Sequence, residues 1–447
     1  MGMGDQVRRQ LAAAALKRQL ERVSGEAQAT GRAAPVQSNS GATANPSWDA
    51  RDRFEAMPLY QQVKLMRQMA ETLSIESPFF RVHEGMAGAT TMIDGREYIN
   101  FANYNYLGLA SDPSVIAAAQ AAIGRYGTSV SASRMVAGER PVQRELERAL
   151  AAFYETEDCV AFVSGHATNV TAIGALFGPG DLIVHDALAH NSIVQGAQLS
   201  GAKRLVFAHN DWRDLDSLLA RVRHEYRNVL VAIEGLYSMD GDYPELERFV
   251  EIRRHHGVFL MVDEAHSLGV LGETGRGIRE HSGVPSDEVD LWMGTMSKTL
   301  AGCGGFIAGC QPLVDMLRHL APGFLYSVGL SPALAAASLT AIERLVAEPG
   351  RVQALKARGH QFLSEARSAG FDVGSSAGYA VVPIITRSSA KAARWANALF
   401  EEGINVQPVF YPAVEERAAR LRFFICSTHE PEHITTTVAT LARIARV

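Results

Sequence analysis

Cysteine is scarce: only Cys159, Cys303, Cys310 and Cys426 occur in 447 residues, none of them in a CxxC pair. This spacing excludes a disulfide framework or zinc ribbon and predicts four reduced thiols packed as small apolar side chains in a cytoplasmic protein. Lysine is nearly as rare, at positions 17, 64, 203, 298, 356 and 391, and none follows a glycine. No GxxxxGK[ST] loop is therefore present to cradle nucleotide phosphates. Basic runs are missing as well: Lys+Arg 43 against Asp+Glu 48 leaves a formal charge of -5, without the electrostatic footprint of a nucleic-acid binder. Two uncharged stretches, 159–180 and 320–342, are long enough to span a bilayer. The first contains Ser164, His166, Asn169 and Pro179, and the second is broken by Pro322, Gly323, Gly329 and Pro332, so no integral membrane segment is expected. Arg8, Arg9, Lys17 and Arg18 are interleaved with alanines at the amino terminus, which does not read as a signal peptide.

Apolar residues make up 47% of the chain and charged residues 20%, enough to bury a core. At one domain per ~150 residues the length predicts two or three units. Val7, Leu11, Leu16, Leu20 and Val23 recur at roughly helical intervals within 5–23, whereas 24–47 has almost no large apolar side chains and reads as a linker. The expected division is a helix and linker over 1–47, an arm over 48–99, a large domain over 100–335 and a smaller α+β domain over 336–447. Across the large domain short apolar runs alternate with helical patterns. VLVAIE (229–234), VFLMVD (258–263) and 291–294 read as strands; a helix beginning near Val142 carries Leu146, Ala149, Leu150 and Phe153 on one stripe. This alternation predicts an α/β unit with a largely parallel sheet. Further strands are expected at 381–385 and 421–426.

VFLMVDEAHSLG ends a strand on Asp263, Glu264 and His266, and open parallel sheets bind ligands at the carboxyl ends of their strands. Without a phosphate loop the DEAH letters do not make a helicase. Lys298 follows another apolar strand, among Thr295, Ser297 and Thr299 and before a glycine cluster. Small hydroxyls and exposed backbone N–H groups suit a phosphate, and a desolvated amine is the usual nucleophile for an aldehyde. An aspartate 35 residues before such a lysine suits pyridoxal phosphate, whose pyridine nitrogen needs an anionic partner. HEPEH at 429–433 matches the zinc motif HExxH, but Pro431 belongs in a helix's first turn, placing His429 before the helix that carries His433, and no metal site is expected.

NYLGLA, SGHATN, IEGLYSMDGD, VDEAHSLGVLGETGRG, TMSKTLAGCGG and YPAVEERAARLRF occur in that order and together resemble the α-oxoamine synthases. This pyridoxal-phosphate-dependent group includes serine palmitoyltransferase and 8-amino-7-oxononanoate synthase, and the resemblance covers about 78–445. It implies a fold-type-I transferase with a mainly parallel seven-stranded sheet, a smaller carboxy-terminal α+β domain, and pyridoxal 5'-phosphate as cofactor. By position, Lys298 is similar to the lysine that tethers the cofactor and Asp263 to the partner of its pyridine nitrogen. His266 is similar to the histidine that hydrogen-bonds its phenolic oxygen, with Ser238 nearby, and His190 to the histidine stacked on its ring. Gly165 and His166 resemble the phosphate-holding loop, joined by Thr295, and Ser327 the hydroxyl that reaches the phosphate from the other subunit. Arg422 is similar to the arginine for the substrate carboxylate, and Asn105 lies at a substrate-side position.

The resemblance thus implies a homodimer that condenses a small α-amino acid (serine, alanine or glycine) with an acyl thioester, on CoA or on a carrier protein, releasing CO2 and free thiol. An aminotransferase or lyase of the same fold is the alternative, and a non-catalytic partner subunit a third, which Lys298 argues against. Ala189, Gln143 and Val328 depart from the family pattern without removing a group the chemistry needs. Residues 1–47, with Arg8, Arg9, Arg18 and Arg22, are expected to dock an acidic carrier protein or to be a dispensable tail.

Overall fold

The computed structural model describes residues 49–72, 76–411 and 413–446. The amino-terminal helix and linker expected over 1–47 lie outside the described residues. The chain divides into two compact units, the first containing the described residues to Val82 with Thr386–Glu402 and Gln407–Leu421. The second contains His83–Ile385, Gly403–Val406 and the chain from Arg422. In the first, helices Ala50–Ala56 and Pro58–Thr72 open the chain, and the Arg81 guanidinium lies 3.4 Å from the Phe400 ring centroid.

The second unit begins with an antiparallel hairpin, β1 (Thr90–Ile93) and β2 (Arg96–Asn100). Asp94 and Gly95 turn it with positive φ at both positions, 50° and 73°, the conformation for which Asp-Gly is the preferred pair. Seven further strands follow: β3 (Asp158–Phe162), β4 (Leu182–Asp186), β5 (Lys203–Phe207), β6 (Val229–Glu234), β7 (Phe259–Asp263), β8 (Leu291–Thr295) and β9 (Gly305–Gly309). They form one sheet in the order β3-β9-β8-β7-β6-β4-β5. Neighbours from β8 to β5 pair in parallel, and β9 runs antiparallel to both β8 and β3. The fold class expected from the sequence is the one observed. The central strands read as unbroken apolar runs because helices cover both faces, so there is no solvent face to impose alternation.

On one face Ile183, Leu230, Met261 and Met293 pack with Ile173, Ile193 and Ala197 in a fully buried cluster. Helix Pro141–Tyr154 buries Leu146, Leu150 and Phe153 of the expected stripe but leaves Ala149 half-buried, and it also buries Glu147. That carboxylate pairs with Arg134, Arg144 and Arg318 and accepts the Ala161 N–H at 2.8 Å, so its burial is fully compensated. Gln143 is spent structurally: its amide donates to the Leu330 carbonyl at 2.7 Å, and its oxygen accepts the Arg140 N–H at 2.9 Å. Pro431 opens the helix Pro431–Ala445 and His429 precedes it, buried and stacked on Phe101 with ring centroids 4.4 Å apart. No helix among the described residues is long and apolar enough to cross a membrane.

The sheet's importance lies in its edge. Asp186, Glu234, Asp263 and Thr295 are the last residues of β4, β6, β7 and β8. Parallel pairing brings four polar side chains to one rim, where backbone groups leave the ladder and ligands can approach.

Candidate active site

A pocket at this rim is lined by Gly165, His166, Asn169, His190, Glu234, Asp263, His266, Thr295 and Lys298, among others. Lys298 lies on the turn after β8, with Nζ 5.9 Å from the Tyr104 ring centroid. Burial of the amine, partly offset by the charges of Asp263 and Glu234, pushes its pKa down to about 8. At pH 7 roughly a tenth of such amines are neutral, against about one in three thousand for an ordinary lysine.

Asp263 is buried and accepts twice, from the Asn169 amide at 2.8 Å and from the Ala265 N–H at 3.0 Å. Asn169 also donates to Ser192 Oγ at 2.9 Å, and Ser192 Oγ lies 2.7 Å from His190 Nδ1. A continuous hydrogen-bonded row thus joins His190 to Asp263. The His190 N–H donates to Glu234 at 2.6 Å. Burial, and then the charge of Asp263, pushes the Glu234 carboxyl well above the usual carboxylate range.

His266 is buried and shares a 2.7 Å hydrogen bond through Nδ1 with the Tyr106 hydroxyl. Burial, reinforced by the Lys298 charge, holds its imidazole well below the usual histidine range, while burial raises the Tyr106 phenol. Both are neutral at physiological pH. Glu264 turns away from the pocket: it bonds Ser267 Oγ and accepts the Ile278 N–H at 3.1 Å, tying down the following loop, and burial pushes its pKa up to about 7.

The side of the pocket expected to meet a phosphate is built by backbone. Helix Gly165–Leu176 begins at the pocket with Ser164 as its N-cap, and its first N–H groups have no helical carbonyl to bond, as suits an anion. A Cβ on Gly165 would stand 2.5 Å from Thr295 Oγ1. Gly165→Ala is therefore expected to push the loop off Thr295 and weaken cofactor retention about tenfold, since overpacking of this kind costs ~1–3 kcal/mol. Dialysis of the loaded protein with cofactor absorbance as readout checks this, and retention equal to wild type would contradict it.

Arg422 lies on the strand Arg420–Phe424, where Nη1 donates to the Ser238 carbonyl at 3.3 Å and the guanidinium sits 4.6 Å from the Phe424 ring centroid. Its charge contributes to lowering the pKa values of Lys298, His190 and His266. Four expected residues do not line the pocket, Arg422 among them. Ser238 meets Arg422 through its carbonyl. Asn105 is buried, its amide donating to the Ala87 carbonyl at 2.8 Å and its oxygen accepting from the Ala110 N–H at 3.1 Å. Among the described residues, Ser327 Oγ donates to its neighbour's carbonyl, Val328 O, at 3.3 Å.

The sequence reading missed Asn169, Ser192, Glu234 and Tyr106. Asn169 was detectable: it is one helical turn after Gly165, and positions i and i+4 share a face.

Residues 96–441 match the family described as Aminotransferase class I and II. The chain is 39% identical over 368 residues to the 8-amino-7-oxononanoate synthase of Pelobacter propionicus, a match covering 82% of this chain and 93% of that one. It is 36% identical over 366 residues to the serine palmitoyltransferase of Sphingobacterium spiritivorum, covering 82% and 91%. Among solved structures it is similar to the serine palmitoyltransferase of S. paucimobilis with a bound PLP–myriocin aldimine. The TM-score is 0.84 at 30% identity, with 89% of this chain and 99% of that chain covered.

Proposed function

Because this chain belongs to the class I and II aminotransferase family, and within it to the α-oxoamine synthases, we propose roles for Lys298, Asp263, His190, His266, the Gly165 loop, Thr295 and Arg422 in joining a small α-amino acid to an acyl thioester. The observation that carries the reading is the buried, depressed amine of Lys298 in one pocket with Asp263, His190 and His266. The donor set fits pyridoxal 5'-phosphate. The Gly165 loop, whose space a Cβ would fill, and Thr295 suit the phosphate, Asp263 the pyridine nitrogen, and His190 one ring face. With Tyr106 O–H donating to Nδ1 of His266, Nε2 carries that ring's proton and can donate to a phenolic oxygen. The cofactor, when bound, supplies a sink for the electron pair left on the amino acid's Cα.

Around that sink the chain's own groups divide the work. Lys298 Nζ is the covalent anchor at rest and, once displaced by the substrate amine, takes the Cα proton. Arg422 binds the substrate carboxylate, and a guanidinium fork fixes the orientation of the Cα–H bond. The acyl thioester then receives the new C–C bond, and CO2 and free thiol leave. The amino acid is serine, alanine or glycine, and the acyl group arrives on CoA or a carrier protein in the cytoplasm.

Purified protein loaded with cofactor is expected to release free thiol only when an amino acid and an acyl thioester are both present. Amino-group transfer to a keto acid without thiol release would establish the aminotransferase alternative.

A homodimer with shared sites is part of this proposal, with Ser327 serving the neighbour's phosphate. Mixing Lys298→Ala chains with Ser327→Ala chains should restore up to about a quarter of wild-type turnover, the share expected when random pairing leaves one intact site per mixed dimer. Turnover no greater than the sum of the separate variants would rule out sharing.

A further inference from the structure

Outside the pocket, the turn after β5 holds a histidine between two carboxylates. His209 Nδ1 lies 2.8 Å from Asp186 Oδ1, and its Nε2 lies 3.0 Å from Asp242 Oδ2. Ionised carboxylates only accept, so both ring nitrogens must donate and the ring is the imidazolium. Burial opposes that charge, but the hydrogen bonds to Asp186 and Asp242 outweigh it and push the pKa up to about 10. The Tyr237 ring stands edge-on to the imidazole at 4.5 Å.

Each carboxylate organises a different piece of the active site. Asp186 ends β4, and its Oδ1 accepts the Leu188 N–H at 2.7 Å while its carbonyl accepts the Ala189 N–H at 3.1 Å. Those bonds shape the loop that delivers His190. Asp242 closes the turn 237–242, where its carbonyl accepts the Tyr237 N–H at 2.9 Å and its side chain is also bonded by Asn210 and Ser375. That turn presents the Ser238 carbonyl to Arg422.

We propose that His209 is a positioning residue for amino-acid binding, clamping the loop that carries His190 to the turn that orients Arg422. The inference rests on the reading of Arg422 and His190 given above. Without a cation at 209, two buried carboxylates face each other, and their repulsion separates the two backbone segments. Glutamine cannot replace the ring, because one end of its amide is a carbonyl that would face a carboxylate.

His209→Gln is expected to raise the dissociation constants of serine, alanine and glycine roughly tenfold, read by spectral titration of the loaded protein, with the acyl-donor KM unchanged. Adding Asp242→Asn removes the unpaired charge and should recover part of that loss. Arg253→Gln, which breaks the Arg253–Asp290 pair elsewhere, should leave binding at the wild-type value. Hydrogen exchange should quicken at 187–191 and 236–242 in His209→Gln alone. Unchanged amino-acid affinity together with a lowered melting temperature would reduce His209 to a structural residue and overturn the proposal. A wild-type chain whose spectrum responds to none of the three amino acids would defeat the functional reading itself. The clamp would then be judged by hydrogen exchange, with unchanged exchange in His209→Gln rejecting it.

Discussion

Lys298→Ala is expected to lower turnover at least ~10⁴-fold while leaving the fold intact. One part of the loss is the proton transfer at Cα, for which a positioned base contributes ~10²- to 10⁴-fold. The second part is the covalent anchor, without which cofactor orientation depends on the remaining polar contacts. The fold should tolerate the change. Lys298 has a folded pKa of about 8, against an ordinary value of 10.5, so between those values the native state holds fewer protons than the unfolded chain. Stability therefore rises with pH through that window, and below pH 8 the buried ammonium opposes folding. The alanine variant should lose this rise and melt no lower than wild type at pH 7. Thiol release, cofactor retention and melting curves at pH 7 and 9.5 check the three statements together. Turnover within tenfold of wild type would remove Lys298 from the mechanism.

Asp263→Asn is expected to cost ~10²- to 10³-fold in kcat, comparable to removing one preorganised electrostatic partner from a reacting centre. The volume is unchanged, so neither a cavity nor a clash contributes. An amide also cannot satisfy both present donors: whichever way it turns, its NH2 group faces either the Asn169 amide or the Ala265 N–H. Asp263 holds up the pKa values of Lys298 and His190, so its neutralisation should move the acidic limb of the kcat profile to lower pH. Asp263→Glu keeps the charge and should retain more activity than Asp263→Asn. A pH profile identical to wild type, with kcat within threefold, would show that the carboxylate only holds the loop.

Much of the site was legible because its signals are local. A strand that ends in Asp-Glu-Ala-His, or a lysine between hydroxyls and glycines, carries its chemistry within ten residues. Glu264 was legible only as a carboxylate beside a strand end. Its partners, Ser267 and the Ile278 N–H, belong to a loop that closes over it only in the folded chain. Glu147 was not singled out in the sequence, yet it is buried, a position made tolerable by Arg144 one turn earlier on the same helix and by Arg134 and Arg318 from other segments. Asn105 and Ser327 show the converse. Their motifs were found, but within one chain their side chains bond backbone outside the pocket.

The sequence by itself determined three strands of the parallel sheet, 229–234, 258–263 and 291–294, the rim at which ligands approach, and the candidates Lys298, Asp263 and His266, whereas His190 was a candidate only through the family resemblance. Apolar periodicity and motif spacing act over a few residues, and parallel pairing then forces the strand ends to one rim. Only the tertiary structure decided the protonation states and partners of these groups. The bond between Tyr106 and His266 spans 160 positions, that between Asn169 and Asp263 spans 94, and Glu234 reaches back 44 to the His190 N–H. No local pattern encodes such pairs. They arise from the packing of loops around a low-dielectric pocket, and the same desolvation that depresses the amine of Lys298 makes each of those distant hydrogen bonds necessary.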